Sequence, residues 1–102
     1  MKTIEFESIL AKRLSSIATT LGSKAKEYAQ DDDRLYNFKV AARINNETPA
    51  KALWGMATKH LVSVTDLVNA KLDNKTGMVD EKIGDMINYL ILLEAILKEE
   101  KE

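Results

Sequence analysis

The sequence predicts an all-α protein, a four-helix bundle completed by oligomerisation. Four glycines and one proline in 102 residues leave little to interrupt helix. Apolar residues recur at spacings of three and four over most of the chain, which is the helical period. No stretch alternates apolar and polar residues long enough for a strand. Residues 1–102 are read as a single domain with one modest core.

The first helix is predicted over 4–29, with Leu10, Leu14, Ile17, Leu21 and Tyr28 on one apolar face. Gly22 weakens it locally without ending it. QDDDR follows, and Asp31 to Asp33 suit the positive end of a new helix. That second helix is expected over about 33–44, with Leu35, Phe38, Ala41, Ala42 and Ile44 apolar and Asn45-Asn46 as its stop. Thr48-Pro49 reads as N-cap and first-turn proline. The third helix then runs to about 71 through Leu53, Met56, Ala57, Leu61, Val64 and Leu67. DNKTG at 73–77 is a turn cluster, and the fourth helix covers about 79–99.

A helix over 4–29 is about 39 Å long at 1.5 Å per residue. A compact chain of this length has a radius of gyration of about 13 Å, so the first helix should overhang the bundle. The fourth is apolar almost all round from Met86 to Leu97, broken only by Asn88 and Glu94. Both features point to a homo-oligomer.

Fifteen basic and 16 acidic residues give a net charge of −1. Such a balance gives no broad basic field for nucleic acid, and no nucleic-acid partner is expected. The absence of cysteine excludes disulfides, thiolate metal sites and a cysteine nucleophile. MKTIEFESIL carries acids in its first turns and does not read as a signal peptide. The most apolar stretch falls short of the roughly twenty residues a membrane span needs. The expectation is a cytoplasmic protein without membrane contact.

Two polar stripes carry the candidate chemistry. On the third helix Lys59, Ser63 and Asp66 stand at i, i+4 and i+7; on the fourth, Glu81, Asp85 and Asn88 repeat that spacing. Either set shares one helical face. A short turn predicts antiparallel packing, which places Asp66 near Asp85, Ser63 near Asn88, and Lys59 with His60 beyond them. Asp66, Glu81 and Asp85 would then supply oxygen ligands for Mg²⁺, which in turn can bind nucleotide phosphates or activate water. The plainer alternative is a hydrogen-bonded network that fixes helix register. Glu81 also suits the helix dipole with no further role. His60 is the lone histidine, Ser63 has no triad around it, and Trp54 and Met56 read as core or interface.

Four segments, KAKEYA (24–29), DDRLYNFK (32–39), TKHLVSV (58–64) and EKIGDMINYLILL (81–93), together resemble small bacteriophage-encoded helical proteins. More distantly they are similar to the all-α nucleotide pyrophosphohydrolase superfamily that includes MazG and dimeric dUTPases. EKIGDMINYL is similar to that superfamily's E-E-x-x-D motif, with Glu81 as first glutamate and Asp85 as the aspartate; Lys82 replaces the second glutamate. The preceding E-x-x-E motif has no counterpart among Lys59, His60, Ser63 and Asp66. The resemblance implies an oligomeric, nucleotide-related protein of an infected bacterium's cytoplasm.

Two functions follow as expectations. In the first, a MazG-like protein binds a nucleotide or nucleotide-derived ligand between helices three and four. Lys59 and His60 meet phosphate, Ser63 and Asn88 orient the ligand, and Asp66, Glu81 and Asp85 hold Mg²⁺. Any turnover, with Glu81 and Asp85 as its catalytic carboxylates, would be metal-assisted release of pyrophosphate. In the second, a non-enzymatic phage accessory protein oligomerises and acts by contact, blocking a host protein target or sequestering a signalling nucleotide.

Overall fold

The structure is a computed structural model that describes residues 1–22, 33–71 and 77–100. It contains α1 (Thr3–Ile17), which widens into a π-helical segment over Ala18–Gly22, then α2 (Tyr36–Asn45), α3 (Pro49–Val68) and α4 (Met78–Glu100). The all-α class and the four helices agree with the sequence. The part of the first helix predicted over 23–29, including Tyr28, lies outside the described residues, as do Asp31, Asp32 and most of the DNKTG turn.

Local chemistry explains the helix ends. Thr48 is the N-cap of α3: its Oγ1 accepts a hydrogen bond from the Lys51 N–H at 3.2 Å, with Pro49 in the first turn. Asp33 acts just ahead of α2, where its Oδ1 accepts from the Leu35 N–H at 3.0 Å. Asn46 ends α2 in the left-handed conformation (φ 54°), and the Glu47 N–H closes back onto the Ala42 carbonyl at 2.9 Å. Ala70 does the same after α3 (φ 56°), with the Lys71 N–H on the Asp66 carbonyl at 2.8 Å. That left-handed residue is why α3 stops at Val68 and not at 71.

The core belongs to α2, α3 and α4. Leu53 is fully buried, Ala57 and Ile96 nearly so, and Leu35 and Phe38 close the cluster. Met56, Met86, Tyr89, Leu92 and Leu93 pack around it. Leu53 meeting Ile96 in one cluster, and His60 meeting Asp85, makes α3 and α4 antiparallel. Lys39 fastens α2 to the last turns of α4, with Nζ 2.8 Å from Asp33 and 2.6 Å from Glu99.

α1 stands apart from this core. None of its side chains is fully buried, and Arg13 and Ile17 are half-buried. Leu10 and Leu14, on its predicted apolar face, are 47% and 57% exposed. Its main contact with the rest of the described chain is with α4. The molecule is accordingly drawn out, with a radius of gyration of 15.6 Å and extents of 45 × 28 × 25 Å. Ile44, Leu61, Leu90 and Leu97 also remain open to solvent, so part of the predicted apolar surface is not covered within one chain.

Candidate functional site

A concavity lies between α1 and α4. It encloses about 880 Å³, within the size range of small-molecule sites. Helical periodicity builds both walls. On α1 and its π-helical continuation, Ile9, Lys12, Arg13, Ser16 and Thr20 fall on one face, with Ser15 and Ile17 at its edges; on α4, Glu81, Gly84 and Asn88 do, with Asp80 and Asp85 beside them and Gly77 just ahead of the first turn. One wall carries two bases and three hydroxyls beside two isoleucines; the other carries three carboxylates and an amide.

Arg13 joins the walls. Its Nη2 donates to the Asp80 carbonyl at 3.0 Å. The guanidinium lies so close over Gly84 that a Cβ there would run into Nη1. Gly84, buried in the second turn of α4, therefore provides the gap through which α1 approaches.

On its other side, Asp85 meets α3. Oδ2 lies 3.5 Å from Nδ1 of His60, whose ring is tilted against Tyr89 with centroids 4.9 Å apart. Burial pushes the Tyr89 hydroxyl above its usual value of 10.0, and the neighbouring Asp85 charge adds to the rise. His60 and Asp85 thus link the α3–α4 seam to the groove.

The other predicted site residues divide accordingly. Glu81, Asp85 and Asn88 come together on the α4 wall. Asn88 Oδ1 is buried and accepts no hydrogen bond from the described residues. Glu81 has Lys82 at 3.6 Å. Lys59, Ser63 and Asp66 do not line the groove. Ser63 donates its hydroxyl to the Lys59 carbonyl at 3.2 Å within α3, Lys59 is exposed, and Asp66 is half-buried. The α3 side chain that meets Asp85 is His60. Among the described residues, no three histidine, aspartate or glutamate side chains converge as a metal site.

Lys12, Arg13, Ser16 and Thr20 are functional candidates that the sequence reading passed over. Their signal was present: Lys12, Ser16 and Thr20 repeat every four residues, a polar stripe beside the apolar one.

Fold and groove define a small all-α protein of four helices. No family model, curated protein or solved structure matches the chain. No helix among the described residues is long and apolar enough to cross a membrane.

Proposed function

We propose that the protein binds a nucleotide or nucleotide-derived anion in the groove between α1 and α4. The carrying observation is the opposition of Lys12 and Arg13 to Glu81, Asp85 and Asn88 across about 880 Å³. Phosphate suits the basic wall, because guanidinium and ammonium groups donate charge-assisted hydrogen bonds to its oxygens. The opposite wall suits the hydrogen-bond donors of a base or sugar. Asn88 Oδ1, buried and without a hydrogen-bond donor among the described residues, supports this, since a buried acceptor left unpaired costs about 1–3 kcal/mol and a ligand donor would offset that cost.

Mg²⁺ has a limited place in this reading. Glu81 and Asp85, one turn apart, are the pair that would hold it. Mg²⁺ commonly takes one or two carboxylates and completes its shell with phosphate and water. The metal would then enter with the ligand and neutralise phosphate charge, and binding without turnover is the function proposed. The sequence resemblance of residues 81–90 to a nucleotide-handling motif supports the ligand class.

A thermal-shift panel of nucleoside triphosphates, monophosphates and cyclic nucleotides, with and without Mg²⁺, tests the reading. A ligand that binds only the folded chain stabilises it by about 2.7 kcal/mol at one hundred times its Kd. The rise should vanish in Arg13→Met and weaken in Asp85→Asn. A flat panel for the unaltered chain overturns the proposal.

A further inference from the structure

We propose that α1 is a hinged lid on the groove: it undocks from α4 as a unit while α2, α3 and α4 stay folded, and a ligand that touches both walls holds it shut.

Packing divides the described chain unevenly. Leu35, Phe38, Leu53, Ala57 and Ile96 form the buried cluster, and the side chains packed on them come from α3 and α4. α1 contributes nothing to it. None of its side chains is fully buried, and only Arg13 and Ile17 are half-buried. Elements with few buried apolar contacts open at a lower free energy than the whole domain. Once undocked, a helix of 15 residues is marginal in water, so its amides then exchange with solvent.

The hinge is the π-helical segment Ala18–Gly22 that continues α1. An i→i+5 turn interrupts the regular α-helical pairing, and such turns accompany bends and functional sites.

Arg13 is the latch. Its Nη2 donates to the Asp80 carbonyl at 3.0 Å, and its guanidinium lies over Gly84, where a Cβ would collide with it. A guanidinium carries five N–H donors, so the Asp80 contact leaves others for a ligand oxyanion. Docking and capture thus use one side chain without competing. With α1 undocked, Lys12, Arg13, Ser16 and Thr20 part from Glu81, Asp85 and Asn88, and the groove is gone. A ligand shifts such an equilibrium by its differential affinity for the two states, and one that bridges the walls favours the docked state. Closure rests on the groove reading; the undocking does not.

Hydrogen exchange on the full chain, in denaturant below the unfolding midpoint, tests both parts. Without ligand, the amides from Leu10 to Ile17 should share one opening with little denaturant dependence, because undocking exposes little surface. Those around Leu53 and Ala57 should exchange only with global unfolding. Arg13→Met should speed exchange across α1 about tenfold, the equivalent of one hydrogen bond to a charged group, and leave α3 unchanged. Nucleoside triphosphate with Mg²⁺ should slow α1 in the unaltered chain but not in Arg13→Met. If α1 exchanges with the rate and denaturant dependence of α3, or if Arg13→Met leaves α1 unchanged, the lid is overturned whatever the ligand does. Nucleotide-induced protection of Asp80 to Asn88 with none in α1 overturns closure alone. An α1 that opens separately but answers no nucleotide keeps the undocking and overturns both the closure and the groove reading.

Discussion

His60 Nδ1 on α3 lies 3.5 Å from Asp85 Oδ2 on α4, and the same imidazole packs on the ring of Tyr89. One side chain thus connects the α3–α4 seam to the carboxylate that lines the groove. His60→Ala should cost about 1–2 kcal/mol, through lost ring packing and contact area. His60→Phe should retain most of that stability, because it keeps a ring against Tyr89. Urea denaturation of the three proteins measures the difference; equal losses in both variants would mean that the Asp85 contact, and not the ring, carries the energy.

Gly84→Ala separates helix propensity from helix docking. Alanine favours an α-helix over glycine by about 1 kcal/mol. Its Cβ, however, would displace the Arg13 guanidinium from its place over α4 and break the hydrogen bond to the Asp80 carbonyl. The obstructed atom is the end of a flexible side chain, so the backbone of α4 is preserved. The expected result is a global stability within about 1 kcal/mol of the unaltered chain, with faster amide exchange in α1 relative to α3. Unchanged protection of α1 would contradict the role given to Gly84.

Much of the fold was legible because helix ends are written in local chemistry. Thr48-Pro49 and Asn45-Asn46 each mark a boundary where the structure has one. Ala70 was not legible as a terminator, since alanine is a helix former and its left-handed backbone answers to the chain that follows. The inward positions of α3 were partly legible: Leu53 and Ala57, extended by one helical step, lead to position 60, so the apolar row itself named His60 as the residue facing α4. Residues at 59, 63 and 66 share a face, but spacing alone does not say toward which neighbour it turns. The groove was hidden for a related reason. Asp85 and Asn88 were read against α3, whereas α4 is flanked by two helices, and no local signal assigns a polar stripe to one neighbour over another.

Ala70 offers a direct check of the α3 terminus. A non-glycine residue in the left-handed region costs about 1–2 kcal/mol, and the Ala70 side chain is exposed. Ala70→Gly should stabilise the protein by about 0.5–1 kcal/mol, after the greater flexibility of glycine in the unfolded chain is counted. Thermal unfolding measures it, and a loss of stability would contradict the left-handed geometry.

Tyr89 reports on Asp85 without any ligand. Its hydroxyl is raised above 10.0 first by burial and then by the Asp85 charge. Asp85→Asn should lower the Tyr89 pKa only in part, leaving it above that of a free tyrosine, as followed by ultraviolet titration. The sign of the linked stability follows from the raised folded-state value: the contribution is full below the unfolded pKa near 10.0 and is lost as pH rises through the higher folded pKa. A Tyr89 pKa that falls all the way to 10.0 in Asp85→Asn would mean that charge, not burial, causes the shift.

The central claim is that α1 and α4 together form the ligand site. Titrating nucleoside triphosphate, with and without Mg²⁺, into the isotopically labelled full chain and following backbone amide shifts addresses it residue by residue. The account predicts saturable shifts confined to Lys12 through Thr20 and Asp80 through Asn88, abolished by Arg13→Met. Shifts confined to α2 and the Lys59–Asp66 stretch of α3, or none at millimolar nucleotide, would contradict it.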